Sequence, residues 1–171
     1  VLKNIQNILI SFGGGDKMNH TESVLFWLKS QGFDGNVNIS SNLYKKNNLK
    51  LNNMKELYDF KIKVFKMNIK FDNLLGISDI IFCGGGTTLL ESCYVGVPAI
   101  VLPQTKRELD FAKIIEKNNS AYVISNINKD SKKIIKLIND SSLRKKIHKS
   151  QISFVDGKGK ERIRKVIFNN F

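Results

Sequence analysis

The sequence predicts an α/β domain in which a parallel β-sheet is flanked by helices. Three observations predict it: short β-branched runs recur along the chain, segments with helical spacing separate them, and the runs are apolar almost throughout instead of alternating. A strand that reads as a continuous apolar run is buried on both faces, and strands separated by helices are joined by crossovers. Together these select a parallel sheet wound with helices on each side.

The strand-like runs lie at 5–11, 37–40, 62–65, 79–83, 99–102 and 121–124. The first helix is expected over 22–30, with Thr21 as its N-cap, Val24, Leu25 and Leu28 on one face and Gly32 as its stop. Further helices are expected over 87–95 and 108–117. After Ile124 the pattern changes to three amphipathic, lysine-faced helices over 131–139, 142–154 and 160–168, which are expected to pack over one edge of the sheet. No internal repeat or low-complexity linker interrupts the pattern, so residues 1–171 read as a single domain. Because Val1 leads within a few positions into a strand, the domain is expected to be excised from a longer protein.

Composition narrows the function classes. The 171 residues are 42% hydrophobic and 25% charged, ordinary for a globular protein. No stretch approaches the roughly 20 apolar residues of a transmembrane helix, and the start lacks the pattern of a secretory signal, so a cytoplasmic location is expected. Cys83 and Cys93 lack CxxC spacing and flanking histidines, and read as small buried residues; no metal site and no cofactor is expected. The net charge of +13 raises nucleic acid as a partner, but 24 of the 28 basic residues are lysine and only four are arginine. Arginine's bidentate fork is what sequence-specific readers use, so no nucleic-acid partner is expected.

The strongest local signal runs from Ile80 through Cys83, Gly84, Gly85, Gly86, Thr87 and Thr88 to Glu91. A strand enters three glycines and then a helix, where unpaired N–H groups and the positive end of the helix dipole can face a phosphate. Thr87 and Thr88 add hydroxyl donors. Glu91, on the same helix face as Thr87, can accept hydrogen bonds from ribose hydroxyls. The plainer alternative is a tight turn in which Thr87 only caps the helix. A second loop, Gly13, Gly14, Gly15 and Asp16, again follows a strand. Loops at the carboxyl ends of parallel strands open on one edge, where open α/β sheets bind ligands, so both loops can converge on one diphosphate. Neither matches GxGxxG or the Walker pattern. A third segment, Pro103 to Glu108, brings polar side chains including Arg107 and Glu108 to that edge, although Thr105 and Glu108 can also form a capping box. Met67 and Ile69 follow another strand and can flank a base.

These motifs, with Gly96-Val97-Pro98-Ala99 and the segment from Asp156 and Gly157 to Ile163, resemble the C-terminal half of the pseudaminic-acid-pathway UDP-sugar hydrolases, which are grouped with spore-coat polysaccharide glycosyltransferase-like proteins. The resemblance spans nearly the whole segment. More distantly the chain is similar to the nucleotide-binding domain of the lipid II N-acetylglucosaminyltransferase. The resemblance implies a Rossmann-like domain forming the C-terminal half of a GT-B architecture. It implies a UDP-sugar partner held between this half and an N-terminal domain of the same chain. Gly86, Thr87 and Thr88 would then meet the diphosphate, and Glu91 the ribose or the neighbouring sugar. Catalysis would reside in a histidine of the N-terminal domain, so no catalytic residue is expected here; His20 is read as a surface residue near a helix start. Where relatives carry an Asn-Gln pair, this chain has Arg107-Glu108, a departure at a position that bears on sugar specificity. The leading expectation is hydrolysis to UDP and a free amino-deoxy sugar in nonulosonate or surface-polysaccharide synthesis. The alternatives are a nucleotide-sugar-dependent glycosyltransferase and a non-catalytic nucleotide-sugar-binding module.

Overall fold

The computed structural model describes residues 5–13, 15–40, 57–66 and 71–168. In chain order the elements are β1 (Asn7–Ser11), α1 (His20–Ser30), β2 (Asn36–Ser40), β3 (Lys61–Phe65), α2 (Phe71–Gly76), β4 (Ile80–Cys83), α3 (Thr87–Val95), β5 (Ala99–Val101), α4 (Lys106–Lys117), β6 (Tyr122–Val123), α5 (Ser131–Asn139), α6 (Ser141–Phe154) and α7 (Gly159–Phe168). The six strands form one sheet in the order β3-β2-β1-β4-β5-β6, and every neighbouring pair is parallel.

Successive side chains of a strand point to opposite faces, so each central strand feeds two cores. Ile8, Ile10, Ile80, Phe82 and Ile100 pack on one face against Val24, Leu25 and Leu28 of α1 and Ile134, Leu137 and Ile138 of α5. On the other face Leu9, Ile81, Cys83, Ala99 and Val101 meet Leu74 and Leu75 of α2, Leu89 and Cys93 of α3, and Ala112 and Ile115 of α4. The apolar runs of β1, β4 and β5 are this two-sided burial. β3 forms one edge and differs accordingly: Lys61 and Lys63 alternate with half-buried residues, and lysines on an edge oppose further strand pairing.

The amino-terminal ends of β1 and β4 are locked by a carboxylate. Asp79 Oδ2 accepts from the amides of Gln6 at 2.7 Å and Asn7 at 2.8 Å, which sets the register that pairs Ser11 with Cys83 at the opposite end. Both cysteines are buried and free. Burial pushes the Cys83 thiol well up and the Cys93 thiol up to about 11, so neither is a ready thiolate.

Three details depart from the sequence reading. Helix α1 starts at His20, and Asp16 supplies its capping carboxylate in place of Thr21, because the chain reverses through left-handed conformations at Asp16 and Asn19. Helix α2 has six residues, too few turns to show a periodicity. The last three helices do not act as one layer. α5 belongs to the main core, α6 docks through buried Ile147 and Gln151, whose Nε2 donates to Val97 O at 2.9 Å, and α7 buries no residue.

Candidate functional site

The chain leaves β1 toward β2 and β3 and returns to the other side of β1 at β4, from which β5 and β6 continue outward. The β1–β4 boundary is therefore the topological switch point, where an open parallel sheet forms its crevice. Because Ser11 is paired with Cys83, the turns that follow these two strands leave the sheet side by side and at the same level. The turn after β5 lies next to them.

The first turn is closed by its own residues. Gly13 has φ +70°, a conformation that costs a residue with a Cβ but not glycine. Asp16 is buried, and its two oxygens accept from the amides of His20 at 2.8 Å and Thr21 at 2.9 Å. A carboxylate of the protein thus occupies the positive end of α1.

The second turn is packed at one point and open at the next. A Cβ on Gly85 would lie 2.3 Å from the backbone oxygen of Glu108, so only glycine lets β4 turn this closely against α4. Gly86 is the N-cap of α3 in extended conformation, and a Cβ there would have no atom within 4 Å. No side chain caps α3, and its first turn holds no acidic residue. Thr87 is exposed and Thr88 half-buried beside it.

The third turn joins the other two. Thr105 Oγ1 accepts from the Glu108 amide at 3.2 Å, the first half of a capping box. The reciprocal half is redirected: Glu108 Oε2 accepts from the amide of Gln104 at 2.7 Å and, at a longer 3.4 Å, from that of Gly85. Gln104 in turn reaches the first turn, its Nε2 donating to Phe12 O at 3.0 Å and its Oε1 accepting from the Lys17 amide at 2.9 Å.

The structure thus brings Gly13, Gly15, Asp16, Gly85, Gly86, Thr87, Thr88 and Glu108 to one rim. Gly14, Met67 and Ile69 lie outside the described residues. Arg107 is exposed in the first turn of α4. Glu91, one turn along α3, is exposed and lines a groove of about 450 Å³ with Phe71, Leu75, Leu90 and Tyr94. Asp156 receives the guanidinium of Arg162 and the Lys158 amide, which makes the 156–159 segment the turn that starts α7.

Two features of this rim were not legible as such. His20 is half-buried, not a surface residue: its ring centroid lies 5.2 Å from that of Phe12, and Nε2 is enclosed without a hydrogen-bond partner. Loss of solvation lowers its pKa against the opposing pull of Asp16 and Glu108. Gln104 carries the connection between turns, and the available signal was its position just beyond a strand next to the switch point. Among the described residues no group of three or more His, Cys, Asp or Glu side chains is placed to hold a metal ion.

An all-parallel open sheet with a glycine turn on each side of its switch point defines a Rossmann-like domain. Within that class the chain belongs to the glycosyltransferase family 28 C-terminal domain family, whose model matches residues 9–167. Among curated proteins it is similar to the uncharacterized protein MJ1062 of Methanocaldococcus jannaschii, at 35% identity over 123 residues, covering 68% of this chain and 25% of that protein. Among solved structures it resembles the glycotransferase of kitacinnamycin (TM-score 0.71, 15% identity, 96% of this chain and 43% of that chain). It also resembles MurG of Acinetobacter baumannii (TM-score 0.63, 18% identity, 88% and 45%). A third likeness is to the C-terminal CMP-Kdo binding domain of WaaA from the same organism (TM-score 0.60, 12% identity, 89% and 90%). The chain spans a quarter of the length of its curated relative and under half of the first two of these solved structures. At these identities the structural likenesses establish the fold, that of a GT-B C-terminal domain. No helix among the described residues is long and apolar enough to cross a membrane.

Proposed function

We propose that this domain grips the diphosphate of a nucleotide sugar, a UDP-sugar, as the C-terminal half of a two-domain GT-B protein. The observation that carries the reading is the uncapped start of α3 beside Gly86, on the rim that the first glycine turn shares. A diphosphate there meets free amides, the positive end of the helix dipole and the hydroxyls of Thr87 and Thr88. The turn at Gly13, Gly14 and Gly15 covers its other side, Met67 and Ile69 flank the base, Glu91 accepts from the ribose, and Arg107 adds charge near the phosphates. Family membership supports the same ligand, as does the likeness to a domain described as binding a different sugar nucleotide, CMP-Kdo.

In the reaction the bond between the anomeric carbon and the diphosphate oxygen breaks, and the negative charge that develops on departing UDP is stabilised by this preorganised amide site. The attacking oxygen, an acceptor hydroxyl or water, is supplied against an N-terminal domain of the same protein. Glycosyl transfer is the reading the family supports. The resemblance of the glycine-turn motifs to those of the UDP-sugar hydrolases supports a narrower one, release of a free amino-deoxy sugar for nonulosonate or surface-polysaccharide synthesis in the cytoplasm.

Incubation of the full-length protein with UDP-sugars separates these readings. Acceptor-dependent UDP release supports transfer, free reducing sugar without acceptor supports hydrolysis, and UDP binding without turnover leaves a binding module. For the site itself, Thr87→Val removes one hydroxyl donor to a charged phosphate and is expected to weaken UDP roughly tenfold with little change in Tm. Equal stabilisation by UDP in the parent protein and in Thr87→Val and Glu91→Ala would sink the assignment.

A further inference from the structure

Resting on the reading of the rim as a diphosphate site, we propose that Gln104 is the positioning residue that holds the two glycine turns in register for their ligand. A carboxamide presents one donor and one acceptor in a single plane, and Gln104 uses both on the same turn: Nε2 donates to Phe12 O at 3.0 Å and Oε1 accepts from the Lys17 amide at 2.9 Å. The orientation of the amide is set by these partners, since a carbonyl only accepts and a backbone N–H only donates. The two contacts bracket the segment from Gly13 to Asp16. In a planar trans peptide the carbonyl and the following N–H are fixed relative to each other, so holding Phe12 O also fixes the direction of the Gly13 N–H. Holding the Lys17 amide fixes the peptide plane at the other end of the turn.

The same residue reaches the second turn through its backbone. Its amide donates to Glu108 Oε2 at 2.7 Å, and that oxygen also accepts from the Gly85 amide at 3.4 Å. The path from the first glycine turn to the second is therefore Phe12 and Lys17 to Gln104, Gln104 to Glu108, and Glu108 to Gly85, the residue that precedes the open N-cap of α3. A glycine turn is soft, because its residues lack the steric limits that a Cβ imposes. Without a brace the turns would have to be ordered by the ligand at its own expense in affinity; with it they are held beforehand.

The test uses three forms of the full-length protein, the parent, Gln104→Ala and Gln104→Glu, with UDP as probe and amide hydrogen exchange as a ligand-free readout. Gln104→Ala is expected to weaken UDP roughly tenfold and to speed exchange at Lys17, whose amide loses its side-chain acceptor, while Gly85, linked through the backbone amide of residue 104 that alanine keeps, serves as the internal reference. Gln104→Glu keeps the acceptor but sets a carboxylate against Phe12 O, so it should weaken UDP at least as much at pH 7.5. Its protonated form regains a donor to Phe12 O. The ratio of its affinity to that of the parent should therefore return toward one as pH falls to about 4.5, near the ordinary glutamic-acid pKa. That recovery is one that a general loss of stability does not produce. A pH-independent ratio for Gln104→Glu together with parent-like affinity in Gln104→Ala would overturn the proposal. If the parent itself fails to bind UDP, the nucleotide reading fails, and the brace is then decided by exchange: protection unchanged at Lys17 in Gln104→Ala would overturn it.

Discussion

Helices α1 and α3 both begin just after a glycine turn on adjacent strands, yet their first turns are built in opposite ways. The start of α1 is filled by the buried carboxylate of Asp16, bonded to two amides, and Glu22 adds a second acid in the same turn. The start of α3 has a glycine cap, no capping side chain and no acid in its first turn. A helix whose positive end is already neutralised by the protein has no further need of an anion, while one left uncapped retains that need. The pair teaches that a glycine turn before a helix does not by itself mark a phosphate site. What matters is whether the chain supplies its own anion.

The sharpest way to break the contrast is to give α3 what α1 has. Gly86 adopts an extended conformation open to other residues and has free space around its absent Cβ, so Gly86→Asp is expected to fold and to cap the helix with a Tm equal to or slightly above that of the parent. The new carboxylate would lie at the proposed diphosphate site, and like charges in such a site repel by several RT, so UDP affinity should fall about a hundredfold or more. Retained UDP binding in calorimetry would mean the nucleotide lies elsewhere. The converse change, Asp16→Ala, uncovers the amides of His20 and Thr21. It is expected to cost about 1–2 kcal/mol of stability in denaturant unfolding, with UDP affinity altered much less than by Gly86→Asp. A larger effect on UDP than on stability would reverse the roles assigned to the two helix starts.

The smallest expected effect concerns His20, which sits beside the self-capped turn. Its native pKa is lowered, chiefly by burial, from the ordinary value of 6.5. The unfolded chain therefore binds a proton more readily than the native one just below that value, and the stability this group contributes above pH 6.5 declines as pH falls through the window between its two pKa values. Thermal melts of the parent should show Tm falling as pH drops from 7 toward 5, with a shallower slope in His20→Phe. Parallel slopes would show that the enclosed imidazole is not what titrates.

Much of the fold was legible because burial on both faces leaves a direct mark on the chain. The runs at Ile8 to Ile10 and Ile80 to Phe82 are apolar at every position since each alternate residue enters a different core. The bounds of α3 and α5 matched the sequence reading because Gly96, in left-handed conformation at φ +84°, stops one, and an apolar stripe defines the other. Helix α2 was missed since six residues carry too little periodicity to recognise. The start of α1 was misplaced since its capping carboxylate comes from four residues upstream, across a turn whose left-handed residues, Asp16 and Asn19, are not glycines. The two glycine turns were visible as composition. Their partners were not: Glu108 was legible as half of a local capping box, but the amides it takes are those of Gln104 and Gly85, the latter 23 positions away.

What the sequence determined by itself is the set of elements other than the six-residue α2, and the conformations its glycines permit, because hydrophobic period and backbone sterics act over a few residues. Which turn stays open was decided by tertiary structure alone. Asp16 fills one helix start only because the chain folds back over it, and Gln104 joins residues 92 positions apart only once β1, β4 and β5 lie in order across the sheet. Hydrogen bonds of that kind have no periodic imprint, since they depend on which strands become neighbours.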